Sequence, residues 1–124
     1  MNRIVLALAL ATTLSVHAQD AAPPDGKWDV TWQAPNGQSR TGALELQGGN
    51  GTWRSVGVMR GADACITRPA PAKVEVHDGQ PHLLVARSQV LAGCQDNLLK
   101  LTVEADGGMK SAWPDGRPIV FRKL

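Results

Sequence analysis

The chain has 124 residues, 13 of them basic and 11 acidic, with four tryptophans, one phenylalanine, no tyrosine and two cysteines. That length holds one domain. A formal net charge of +2 offers no electrostatic footprint for nucleic acid or for an anionic membrane surface.

In chain order, Asn2 and Arg3 give a short positive start. An apolar run from Ile4 to Leu14 follows, broken only by Thr12 and Thr13, and then Val16-His17-Ala18. This is the order of a secretory signal peptide, with a small-residue cleavage site. The run is about eleven residues, whereas a bilayer span needs roughly 20. Residues 1–18 are therefore expected to be removed, leaving an exported protein that is periplasmic or secreted and not embedded in a membrane. No cysteine follows the run to take a lipid anchor. Removal costs one arginine and leaves 12 basic and 11 acidic residues in 106. Residues 19–25, small and proline-rich, read as a flexible tail, and 26–124 as one domain.

From there, period-two segments alternate with glycine-rich turns, and no helical stripe of three turns appears. Strand one is Lys27 to Gln33, with Trp28, Val30 and Trp32 on one face. Pro35-Asn36-Gly37 is a hairpin turn in which Asn and Gly both tolerate positive φ. Strand two is Ser39 to Gln47, with Gly42, Leu44 and Leu46 on one face. Strand three is Thr52 to Met59; its core face is ambiguous or bulged, because Trp53 is opposite in parity to Val56 and Val58. Arg60 to Ala72 reads as a loop. Strand four is Lys73 to His77, strand five His82 to Ser88, and Gln89 to Asn97 is irregular with room for one helical turn. Strand six is Leu98 to Glu104, with Leu99, Leu101 and Val103 inside. Strands seven and eight are Met109 to Trp113 and Arg117 to Lys123.

These eight short strands predict an all-β antiparallel meander closing into a small barrel, since closure removes the sheet edges. A two-sheet sandwich is the alternative. An even cysteine count in a small exported domain reads as a disulfide between Cys65 and Cys94. It would close a loop of about 30 residues and pin the two long loops together at one rim, contributing ~3–4 kcal/mol by chain entropy.

Gly26-Lys27-Trp28 opens the first strand and Arg122 lies in the last. This resembles the calycin pattern of lipocalins and avidins. The resemblance implies that Gly26, Trp28 and Arg122 close the barrel floor, with the arginine stacked over the indole. The chain is also similar to the small periplasmic inhibitors of serralysin-type metalloproteases, calycin-like barrels with one disulfide and a mobile N-terminal trunk. That likeness makes Gln19 to Asp25 the trunk and Cys65–Cys94 the disulfide.

Four groups of residues are candidates for chemistry. His77 and His82 flank Asp78-Gly79-Gln80-Pro81; in a four-residue hairpin loop they would lie opposite each other and, with Asp78, would suit Zn²⁺ or Cu²⁺. The alternative is two solvent-facing residues at a hairpin tip. Ser88, His82 and Asp78 supply the types of a hydrolytic triad, but no nucleophile elbow surrounds the serine. Trp53 and Trp113 are either core or rim anchors that contact a partner or line a pocket. Arg54, Arg60, Arg68 and Arg87 are either a basic rim for an anionic ligand or partner, or a solvated surface balanced by Asp63 and Asp96. The sum is a monomeric, non-enzymatic binding or inhibitor-like module without cofactor, whose partner is a protein or a small ligand. Carriage of a small ligand inside the barrel is the alternative.

Overall fold

The computed structural model describes residues 24–57 and 62–124. The signal-peptide assignment and most of the tail lie outside the described residues, as do Val58, Met59 and Arg60. Nine strands form one antiparallel sheet: β1 (Gly26–Gln33), β2 (Ser39–Gln47), β3 (Asn50–Val56), β4 (Ala70–His77), β5 (Gln80–Val85), β6 (Asn97–Lys100), β7 (Thr102–Val103), β8 (Met109–Ala112) and β9 (Pro118–Lys123). Their order is β6-β5-β4-β3-β2-β1-β9-β8-β7. One helical turn, α1 (Ala64–Thr67), and a 3-10 turn at Arg87–Gln89 complete the secondary structure of the described residues.

The two outer strands of that order are consecutive in the chain, separated only by Leu101. Residues 97–100 pair with β5, and 102–103 pair with β8. One segment thus turns a corner and serves both edges, giving a nearly closed barrel. The expected sixth strand is this segment split in two. Leu101 is buried at the corner, and its N–H donates to Pro81 O at 2.9 Å. Val103, expected inside, pairs in the register with the buried Met109 but is itself 63% exposed, at the end of β7 before the Asp106 loop.

Turn chemistry sets the pairing. Gly48-Gly49 and Asp78-Gly79 are two-residue connections whose residues all have positive φ, the primed-turn geometry that matches strand twist. Three further hairpins share one three-residue design: Pro35-Asn36-Gly37, Ala105-Asp106-Gly107 and Pro114-Asp115-Gly116. In each, the residue before the loop and the residue after it exchange a backbone bond of 2.8–2.9 Å. In each, the Asn or Asp side chain accepts the backbone N–H two residues on, at 2.9–3.1 Å. Only the glycine has positive φ, so Asn36 does not adopt the conformation expected of an Asn-Gly primed turn.

β4 begins three residues before the expected strand. The Ala70-Pro71-Ala72 start has weak strand propensity, yet Ala70 and Ala72 are buried and Ala70 to Lys73 pair with β3. Tertiary packing overrides propensity here.

The interior is filled by alternate residues of every long strand, among them Trp28, Val30, Leu44, Trp53, Leu83, Leu99, Ile119 and Phe121. The ambiguity of strand three resolves in favour of Trp53, which is 0% exposed, while Val56 faces out. The pairing of β3 with β2 runs unbroken from Asn50 to Val56, so no bulge is needed.

The register assigns every connection to one of two ends. At the first end lie Gly48-Gly49, Asp78-Gly79, the corner at Leu101 and the Asp106 loop. Here Asp25, expected in the flexible tail, is fastened: its carboxylate accepts Gly48 N–H at 2.8 Å and Gly49 N–H at 3.0 Å. Pro24 O accepts the Trp28 indole N–H at 2.9 Å. At the second end lie the Pro35 and Pro114 loops and the two long connections, residues 57–69 and 86–96. The disulfide Cys65–Cys94 joins these connections, with Cα atoms 5.6 Å apart.

Candidate functional site

At the first end, Trp28 is buried in the core, and the cation over its ring is not Arg122. Ile119 and Phe121 point inward, so alternation turns Lys123 in and Arg122 out. Trp28 pairs with Lys123 in the register, and Asp29 with Arg122. Lys123 Nζ lies 5.6 Å from the centre of the Trp28 ring, within cation–π range. The Arg122 side chain is 77% exposed and reaches Asp29 at 3.3 Å. Gly26 opens β1 with φ +121°.

The histidine hairpin sits at the same end. Its loop is Asp78-Gly79 alone, so His77 pairs with Gln80, and His82 with Glu75. The imidazoles are therefore diagonal neighbours, with centroids 5.0 Å apart and planes at 88°. Asp78 stays in the turn, and the carboxylate that joins them is Glu75, 2.9 Å from His77 Nε2. His82 Nδ1 is 3.0 Å from Gln80 O. No trio of His, Cys, Asp and Glu among the described residues is arranged to hold a metal. Ser88 is past the far end of β5 from His82, its N–H bonded to Asp96 Oδ1 at 2.9 Å, so the types of a triad do not converge.

The second end is different in kind. A cavity of about 420 Å³ opens there, within the size range of small-molecule sites. Its walls are the indoles of Trp32 and Trp113, whose centroids are 5.6 Å apart in an edge-to-face pair. Trp53 packs against both, at 5.7 and 6.3 Å, and against Phe121 at 6.3 Å. Trp53 is thus core and presents no surface to a partner. Trp113 is half-buried and lines the cavity. Trp32 owes its position to Gly42: a β-carbon there would lie 3.1 Å from the indole Cζ3.

The expected basic rim divides. Arg54 and Arg68 are exposed and apart from the cavity, and Arg60 lies outside the described residues. Arg87 alone of the four lines the cavity, and it is 9% exposed. Its Nη1 donates to Cys65 O at 2.9 Å and its Nε to Asn97 Oδ1 at 3.2 Å. Burial lowers its pKa, partly offset by the charge of Asp63. The disulfide determines where this guanidinium sits, because Cys65 supplies the carbonyl it bonds.

Two cavity arginines escaped the sequence reading. Arg40 faces Trp32 across the first hairpin. Arg117 follows the Pro114 loop, where its guanidinium holds Asp115 at 2.6 Å and donates to Gln33 O. The parity of β2 was a usable signal for Arg40, which shares the inward face of Gly42 and Leu44. No local signal marked Arg117. Two polar atoms of the lining are also buried without a partner, Ser55 Oγ and Trp113 Nε1; Trp53 Nε1 and Ser111 Oγ are buried and unpaired as well.

No protein-family model matches the chain, and no curated protein matches it. The structure of a redesigned β-barrel is similar over 83% of this chain and 96% of that one, at 14% identity and a TM-score of 0.46.

Proposed function

We propose that this chain is an exported, non-enzymatic binding protein that takes a small ligand into the open end of its barrel. The observation that carries the reading is the aromatic cavity at the disulfide-joined end. Flat apolar walls from Trp32 and Trp113 are combined there with hydroxyl, indole and guanidinium donors. Sites for small molecules have this composition, a mostly apolar concavity with a few placed polar groups. The signal-type N-terminus supports export. Gly26 and Trp28 support a calycin-like relationship, in which Lys123 takes the place of the arginine.

Isothermal titration calorimetry with 1-naphthol and 1-naphthoate tests the reading. Saturable one-to-one binding of either probe, weakened at least tenfold by Trp113→Ala, is the expected result. No heat from either probe up to millimolar concentration overturns it.

A further inference from the structure

The open end holds more positive charge than its surroundings neutralise. Arg40, Arg87 and Arg117 line the cavity, and among the described residues no Asp or Glu does. Arg117 is matched by Asp115. Among the described residues, neither Arg40 nor Arg87 has a carboxylate within salt-bridge distance. Asp63 is near enough to Arg87 to act on its charge, but its side chain caps α1 by accepting the Cys65 N–H at 2.9 Å.

A guanidinium that is 9% exposed and lacks a paired carboxylate is costly unless something compensates its charge. Its two bonds, to Cys65 O and Asn97 Oδ1, go to neutral acceptors and use Nε and Nη1. They fix the side chain and leave Nη2 over. Trp113 and Ser55 line the same cavity, and each has a buried polar atom without a partner, Nε1 and Oγ, a kind of group that is rare and calls for a reason. What the arginine lacks is an acceptor carrying negative charge.

We infer that the ligand is a small carboxylate on a flat apolar body, with its carboxylate against Arg87 and its body laid against the cavity surfaces of Trp32 and Trp113. Arginine suits the headgroup because its planar fork matches a carboxylate edge. The indoles suit the body, since a ring laid against their cavity surfaces gains aromatic contact as well as apolar burial. Arg40 stands on the inward face of β2 opposite Trp32 and draws the anion toward the mouth. This inference rests on the binding-protein reading and adds the sign and shape of the ligand to it.

The test compares 1-naphthoate with 1-naphthamide by calorimetry on the intact disulfide-bonded protein. The pair shares a body and differs in charge. Naphthoate is expected to bind at least tenfold more tightly, a difference of about 1.4 kcal/mol. Arg87→Lys is expected to cost naphthoate at least fivefold and to leave naphthamide within twofold, because the lysine keeps the charge and loses the fork. Arg40→Gln, a change at the half-exposed mouth, is expected to weaken naphthoate and to reduce the salt dependence of its binding. Equal affinities for the two probes overturn the carboxylate inference and leave the binding-protein reading standing. Absence of binding by both, with none by 1-naphthol, removes the two together; binding of 1-naphthol alone overturns the carboxylate inference only.

Discussion

The two ends of this barrel are built on opposite principles. The floor end is closed by two-residue turns, a buried corner at Leu101 and an indole roofed by Lys123. Its loose chain is tied down as well, because the Asp25 carboxylate takes up two turn N–H groups. The open end carries the two long connections, the disulfide, a semi-buried arginine without a paired carboxylate and hydrogen-bonding atoms without partners. Local turn geometry suffices to close one end. The other needs a covalent staple to keep long loops around an unfilled space. Features that are expensive for stability gather at the stapled end, which is the usual place to seek a binding site.

The largest expected effect breaks the stapled end. Replacing both Cys65 and Cys94 by alanine should cost ~3–4 kcal/mol in denaturant unfolding, the chain-entropy value for the loop it closes. Amides of 62–69 and 86–97 should lose hydrogen-exchange protection before those of β1 and β2. Uniform loss of protection would show that the two ends form one cooperative unit.

The next effect belongs to the floor end. A β-carbon at Gly51 would collide with the Glu45 backbone carbonyl, which cannot move aside as a side chain can. Gly51→Ala should therefore destabilise by about 3 kcal/mol, at the upper end for overpacking, and be visible as a lower denaturation midpoint. A change below 0.5 kcal/mol would mean that the β2–β3 hairpin adjusts easily, which its tight turn argues against.

Lys123 and Arg122 give a sharper and smaller comparison. Lys123→Met should cost about 0.5–1 kcal/mol through the lost cation–π contact. Arg122→Ala should change stability by less than about 0.5 kcal/mol, since its ion pair with Asp29 is at the surface. The reverse ranking in matched urea melts would restore the arginine to the floor.

The smallest effect is local and depends on acid. Asp96, through its hydrogen bonds from Ser88, and Asp115, through those from Arg117, both titrate below the ordinary value of 3.8. A carboxylate held down in the folded state contributes stability that is present above its unfolded pKa and lost as pH falls through its folded one. Both belong to the open end. Lowering the pH from about 5 to 2 should therefore raise amide exchange at Ser88 and Arg117, after correction for intrinsic rates, ahead of Val30 and Leu44 in the β1–β2 pairing. Unchanged exchange at Ser88 and Arg117 would show that neither carboxylate holds its turn.

Much of the fold is legible in the sequence because its signals are local. Trp28, Val30 and Trp32 share a face because strands have period two. Asp-Gly and Asn-Gly place turns because glycine reaches positive φ and the Asn or Asp side chain in three of them accepts a turn N–H. The disulfide follows from an even count of two cysteines in a small domain. The strand-three ambiguity was also local: Trp53 and Val56 compete for one interior, and only the indole's larger area in an aromatic cluster decides between them.

The sequence by itself determined an all-β meander, its hairpins, its staple and the inward face of β1, since these depend on neighbours a few residues apart or on chemistry available to only two residues. The tertiary structure decided what lies across the barrel. Register chose Lys123 over Arg122 because a step of one residue exchanges the two faces of a strand. Closure broke the sixth strand at Leu101, because one segment had to serve both edges of the sheet. Arg40, Arg87 and Trp113, distant in sequence, came to line one cavity because their strands end at the same rim.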